Sequence, residues 1–173
     1  GGKCYPRASE NEFEWQGTHR GRPLRVSVEW SGTVDVRMKQ PTGFGELWYT
    51  YDPDVHASEQ PPKWDEDSND GIFVGPSTLV KGFGSTDAET KRRLERLPPG
   101  LGARIAQLLP ENRVRYFRIE SDEVRAMFWP SIHEMTDPEG QITRVVHLAF
   151  ECAEAVAAFP PESDEDADDD DEA

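Results

Sequence analysis

The alternation of apolar and polar residues between Arg22 and Lys39 constrains the fold of this chain more than any other feature. The apolar members are Leu24, Val26, Val28 and Trp30, and then Val34, Val36 and Met38. A period of two is typical of half-buried β-strands, and Ser31-Gly32 between the two runs suits a tight connection. We therefore predict a β-hairpin over 22–39, in a sheet that is covered on one face and hydrated on the other.

Further extended stretches are predicted because aromatic or β-branched residues occur there between turn-forming residues. They cover residues 12–16, 44–51, 71–83, 113–119 and 123–129. The stretch 71–83 is interpreted as one strand or as two short pieces. In 113–119 the alternation is imperfect, because Phe117 and Ile119 fall on the same side as the arginines.

Helices are predicted at three places. Thr86 and Glu89 have the spacing of a capping box, which opens a helix that ends near Leu97. A second short helix is predicted over 101–109. The third covers 144–159, where apolar residues recur at steps of three and four until a proline pair ends the pattern.

These elements predict an α+β fold: a mostly antiparallel sheet built from hairpins, with two or three helices packed on one face. The predicted organisation is a flexible lead-in over 1–11 that begins with a cloning or cleavage remnant, a single domain over 12–160 with an acidic loop at 52–70, and a disordered acidic tail over 161–173. No run of 18 or more apolar residues indicates a transmembrane helix.

The net charge of −15 is distributed in blocks. The last twelve residues contain nine acids and no base, and residues 52–70 contain seven acids and one base. Residues 91–118 contain eight bases and two acids. From this basic block we predict a candidate binding patch consisting of Lys91, Arg92, Arg93, Arg96, Arg113, Arg115 and Arg118.

The basic block has more than one interpretation. It is either an ordinary solvated surface or the binding site of an anionic partner, and the acidic tail could also fold back on it, loosely and in a salt-sensitive way. We expect the partner to be another protein, because the net charge disfavours nonspecific binding of nucleic acid.

The order of the motifs resembles an uncharacterised domain of bacterial, often deltaproteobacterial, proteins. The segment from Gly17 to Val26 (GTHRGRPLRV), the Thr-Asp-x-Glu helix opening and the terminal Val-x-x-Leu-Ala helix carry this resemblance, which spans about residues 13–158. It implies an α+β fold and a bacterial origin. It implies no catalytic residue, activity or cofactor.

No catalytic, cofactor-binding or metal-binding residue is predicted. The four histidines lack the spacing of a zinc-binding helix, and neither cysteine lies in a reactive-cysteine motif. We therefore predict a non-enzymatic protein–protein interaction domain without a cofactor, located in the cytoplasm. Two alternatives stay open: an acidic inhibitor or immunity-type protein that imitates nucleic acid and binds a basic partner, and an enzyme with an unrecognised site near His133 or Trp64.

Overall fold

A nine-stranded antiparallel sheet organises the structure, a computed structural model that describes residues 3–7, 12–54, 70–129 and 131–161. The strands are β1 (Lys3–Arg7), β2 (Glu12–His19), β3 (Arg22–Val28), β4 (Val34–Lys39), β5 (Leu47–Tyr51), β6 (Ile72–Gly75), β7 (Thr78–Lys81), β8 (Val114–Ile119) and β9 (Glu123–Phe128). The helices are α1 (Asp87–Arg96), α2 (Leu101–Asn112) and α3 (Pro138–Val156). The predicted α+β class is confirmed.

The spatial order of the strands is β1-β2-β3-β4-β9-β8-β5-β7-β6. Hairpins join β2 to β3, β3 to β4, β6 to β7 and β8 to β9, and every pairing is antiparallel. Helix α3 packs on β4 and β9, α2 packs on β8 and β5, and α1 contacts β6 and β7. In this strand order, the hairpin β8–β9 lies in the middle of the sheet although it comes late in the chain.

The core lies between the helices and one face of the sheet. Directly opposed residues on that face are apolar: Val36 lies between Val26 and Ala126, and Tyr49 lies between Phe117 and Val80. The helices contribute buried side chains that include Leu97, Ile105, Leu109, Val145, Ala149 and Cys152. Because the helices cover only this face, the sheet has one covered face and one open face, as predicted.

The strands β2 and β3 are joined by a shorter turn than the sequence predicts. The predicted strands leave residues 17–21 between them, but β2 continues to His19 and only Arg20 and Gly21 form the turn. Both residues have positive φ, 49° and 86°, which is typical of a two-residue type I′ connection. This turn matches the right-handed twist of the strands, so both strands extend further.

A β-bulge explains the imperfect alternation in β8. Val114 pairs with Phe128 and Tyr116 pairs with Met127, so the register shifts at Arg115. One extra residue in a strand reverses the inside–outside pattern beyond it. Phe117 and Ile119 consequently point into the core.

The helix boundaries depend on capping and proline. The capping box of Thr86 and Glu89 is present at the start of α1. Helix α3 begins earlier than predicted, at Pro138, because proline is well suited to the first helical position and Asp137 accepts a hydrogen bond from the backbone of Gly140 at 3.0 Å. Helix α2 continues through Pro110, whose missing N–H removes only one backbone bond near the helix end.

The N-terminal stretch differs from the prediction. Residues 1–11 were expected to form a flexible lead-in, but Lys3–Arg7 is strand β1 and pairs with β2. Edge pairing requires backbone hydrogen bonds rather than apolar periodicity, so the pattern gave no signal there. Most of the predicted acidic loop, and the predicted tail except for its first residue, lie outside the described residues.

Among the helices of the described part, none combines the length and apolar composition needed to cross a membrane.

Candidate functional site

The open face of the sheet carries a row of arginines that lie directly opposite one another. Arg25 pairs with Arg37, Arg37 with Arg125, and Arg125 with Arg118, across β3, β4, β9 and β8. We call these four residues the arginine row. Like charges that face each other across strands destabilise a sheet unless opposite charges intervene.

Two buried carboxylates neutralise most of this row. Asp35, only 4% exposed, accepts hydrogen bonds from Nε of Arg37 at 2.8 Å and from Nε and a terminal nitrogen of Arg125, both at 3.0 Å. Glu14, also buried, forms an ion pair with Arg25. Three of the four guanidinium groups are therefore bound to carboxylates within the fold.

The fourth arginine begins a second arrangement, in which arginines and aromatic rings alternate. Arg118 lies 4.3 Å from the ring centroid of Trp48 and 4.9 Å from that of Tyr116. Arg115 lies 5.1 Å from Tyr116 and 4.0 Å from Trp129. At the other end, the rings of Trp48 and Phe83 are 5.3 Å apart. We call these residues the aromatic–arginine strip: Phe83, Trp48, Arg118, Tyr116, Arg115 and Trp129.

The ends of the strip are open to solvent. Phe83 is 65% exposed and Trp129 is 52% exposed, which is unusual for side chains that bury so much apolar area when they are covered. In its middle, Nε1 of Trp48 and Nε of Arg118 are buried and have no hydrogen-bond partner among the described residues. The strip therefore combines exposed rings with polar groups that have unused bonding capacity.

The strip is less neutralised than the arginine row. The carboxylate nearest to Arg118 within the described chain is that of Glu120, at 3.7 Å, which is too long for a good hydrogen bond. Arg115 forms no ion pair within the described ranges.

The acidic excess of the chain lies in two segments. Outside residues 52–70 and 162–173 the chain carries 18 acidic and 18 basic residues, so its charges balance there.

The seven residues of the predicted basic patch do not share one surface. Lys91, Arg92, Arg93 and Arg96 belong to α1, whose Leu97 cap enters the core on the helix side of the sheet. Arg118 lies on the open face with Arg115. Arg113 is exposed at the C-terminal cap of α2, with a φ of 54°. The sheet thus separates the basic residues of α1 from the arginines of β8, although the two groups are close in the sequence.

The aromatic members of the strip were not among the predicted site residues. Trp48 and Tyr116 occur in predicted strands, but the prediction assigned them no face, and Phe83 and Trp129 occur at strand ends. One sequence feature pointed to the strip. The alternation of apolar and polar residues breaks at Phe117, which indicates the bulge that brings Arg115 beside Tyr116.

A separate apolar groove of about 410 Å³ lies where β2 begins and β3 ends. Its lining consists of Phe13, Val28, Glu29, Trp30, Gly32, Ile132 and His133, and Trp30 is 80% exposed. His133, one of the two residues considered for an unrecognised enzyme site, lines this groove, whereas Trp64 lies outside the described residues. Glu29 and His133 are the titratable members of the lining.

The groups with shifted pKa values are scattered. Burial raises the pKa of the Cys152 thiol and of the Tyr49 hydroxyl, and both lie in the core. Burial, His147 and Arg20 lower the pKa of His19, which is stacked at 5.4 Å on His147 at the junction of the β2–β3 turn with α3. Within the described ranges, no three His, Cys, Asp or Glu residues come close enough to hold a metal ion.

Comparisons with known proteins report on the fold alone. No protein-family model matches the chain, and no curated protein sequence matches it. Its fold is similar to that of TtfA. The crystal structure of this mycobacterial trehalose monomycolate transport factor A superposes with a TM-score of 0.55 and 10% sequence identity, over 87% of this chain and 74% of TtfA. The resemblance to deltaproteobacterial domains stays a prediction.

Proposed function

We propose that this chain is a non-enzymatic protein–protein interaction domain that docks a carboxylate-bearing partner on the aromatic–arginine strip. The observation that carries the proposal is the continuous contact of exposed rings and two arginines on a sheet face that no described helix covers. Tryptophan, tyrosine and arginine are the residue types that contribute most to the energy of protein interfaces. The strip presents all three.

Arg115 favours an acidic partner. Its guanidinium packs on Trp129 at 4.0 Å but has no carboxylate partner in the part of the chain that the structure describes. A carboxylate that reaches it would form a charge-assisted hydrogen bond while the side chain stays packed on the rings. Arg118, with Glu120 at 3.7 Å, has similar spare capacity.

Single-stranded nucleic acid is the competing occupant, because bases also stack on exposed rings. Two observations argue against it. The chain carries 34 acidic residues against 19 basic ones, so phosphates are repelled by the whole molecule. The neighbouring arginines that could track a phosphate backbone are already bound to Asp35 and Glu14.

A non-catalytic role is compatible with the structurally similar TtfA, a transport factor. The predicted cytoplasmic location is part of the same proposal.

The experiment is an NMR titration of the full chain, followed through the indole N–H signals. The probes are a synthetic acidic peptide with interspersed leucines, the same peptide with lysine in place of each acid, and an oligothymidine of matched length. The acidic peptide is expected to shift the signals of Trp48 and Trp129 and to leave that of Trp30 in place. Tighter binding of oligothymidine, or acidic-peptide shifts confined to Trp30, would refute the proposal.

Variants sharpen this test. Arg115→Gln and Trp129→Ala should each weaken binding of the acidic peptide about tenfold, the loss typical of one interface anchor. Trp30→Ala is the matched control, because it removes an equally large exposed ring that does not belong to the aromatic–arginine strip. If the lysine peptide binds instead, the chain is better described by the alternative of an acidic inhibitor of a basic protein.

A further inference from the structure

The covered face of the sheet continues beyond the helices as an exposed apolar surface. Phe13 lies opposite Val28, and Val28 lies opposite Val34, which is fully buried. Directly opposed residues point to the same face of a sheet, so Phe13 and Val28 belong to the covered face. Helix α3 packs on β4 and β9, however, and Phe13 is 65% exposed. The helix layer therefore ends before the first residues of β2.

This surface carries both a projecting ring and a groove. Trp30 is 80% exposed, the highest value among the large apolar side chains that the structure describes. It also lines the apolar groove of about 410 Å³, together with Phe13, Val28 and Ile132. A surface that presents a projection beside a matching depression can pair with a second copy of itself about a two-fold axis.

The wall of the groove is already in place. The backbone N–H of Ile132 donates to the carbonyl of Gly32 at 2.7 Å. A Cβ at Gly32 would come within 2.6 Å of the side chain of Ser131, so the two segments are in close contact. A groove that is held in this way needs little ordering when it is filled, and the cost of association is lower.

The charges of the lining favour a second copy over a strongly acidic or basic partner. The lining contains one carboxylate, Glu29, and one imidazole, His133. Within the described ranges neither forms an ion pair, and Glu29 has only a long hydrogen bond, 3.5 Å, from the hydroxyl of Ser31. In a two-fold pair, the imidazole N–H of one copy can donate to the Glu29 carboxylate of the other. The groove is thus complementary to itself in charge as well as in shape.

The exposed area limits the strength of such a pair. A large aromatic side chain buries about 150–250 Å² when it is covered, so the exposed parts of Phe13 and Trp30 in two copies supply roughly 600 Å². Stable interfaces bury at least about 1,200 Å² in total. The rings provide about half of this area, which indicates a reversible association.

We propose that the chain forms a weak two-fold dimer in which Trp30 of each copy enters the groove of the other. The interface lies on the covered face of the sheet, whereas the aromatic–arginine strip lies on the open face, so the dimer does not depend on the proposed docking function. Each copy carries a net charge of −15, so the copies repel each other at low salt. Added salt should therefore strengthen the dimer.

Sedimentation of the full chain tests this association, with a thiol reductant present to exclude disulfide-linked pairs. Between about 10 µM and 1 mM protein, the average mass should rise toward twice that of the monomer. The association should be several-fold tighter at about 0.5 M salt than at about 0.02 M salt. The indole N–H signal of Trp30 should shift with concentration, and those of Trp48 and Trp129 should not. A protein that stays monomeric at the highest concentration, or a mass that grows beyond the dimer, would overturn the proposal.

Two variants assign the contact to the groove. Trp30→Ala should weaken the association tenfold or more, because a two-fold interface contains this contact twice. Trp129→Ala is the control, because it removes a ring that is 52% exposed on the open face and should leave the association unchanged. Equal effects of the two variants, or undiminished association of Trp30→Ala, would refute the assignment. Neither outcome alters the peptide titration of the strip, so the two proposals fail separately.

Discussion

Asp35→Asn should destabilise the protein by about 3 kcal/mol, because a single buried carboxylate holds two arginines of the arginine row together. Removing one partner of a buried ion pair costs about 3–5 kcal/mol. We place the loss at the lower end because the side chains of Arg37 and Arg125 are 33% and 27% exposed, so water can hydrate them. Asparagine keeps the shape of the side chain but leaves Arg125 without an ion pair within the described ranges and leaves Arg37 with only Glu123, at 4.0 Å.

The assay is urea unfolding together with a thermal scan. For a domain of this length, a loss of this size corresponds to a fall in Tm of roughly 6–12 °C. The control is Lys39→Gln, which breaks the exposed pair with Asp122 and should change stability much less than Asp35→Asn. The double variant Asp35→Asn with Arg125→Gln should lose less than the sum of the single variants, since both act on one contact.

One result would refute this reasoning. If Asp35→Asn and Lys39→Gln lose similar, small amounts of stability, the carboxylate does not hold the row together, and the arginines are solvated independently of it. Additive effects of Asp35→Asn and Arg125→Gln would lead to the same conclusion.

Three further predictions follow from local geometry. Thr86→Ala should cost about 1 kcal/mol in urea unfolding through loss of the α1 capping box, and an unchanged midpoint would contradict this. Gly32→Ala should destabilise more than Gly21→Ala: both glycines have positive φ, but a Cβ at Gly32 would come within 2.6 Å of a neighbouring side-chain carbon, whereas Gly21 has open space. The pKa of His19 is lower in the folded protein than in the unfolded chain, so the unfolded chain binds a proton at this histidine more readily. The free energy of unfolding is therefore unaffected by His19 above about pH 6.5 and decreases as the pH falls below that value. His19→Gln should flatten the pH dependence of unfolding in this range, and an unchanged pH dependence would contradict this.

The architecture of the sheet could be predicted only in part. The alternation over 22–39 locates β3 and β4 and shows that one face is open, because apolar burial imposes a period of two on any half-covered strand. It does not show that β9, more than eighty residues later, inserts beside β4. Pairing order depends on which hydrophobic faces meet under the helices, which is a property of the packed core rather than of any one segment.

The sequence by itself determined the α+β class, the capping box of α1, and the uneven distribution of charge, since each depends on neighbouring residues or on composition. The tertiary structure alone decided which basic residues share a surface. A bulge at Arg115 turned Phe117 into the core and brought Arg115 beside Tyr116, and the sheet then placed these arginines on the opposite side from those of α1. Residues that are close in the sequence were separated because each strand presents its side chains to two different environments.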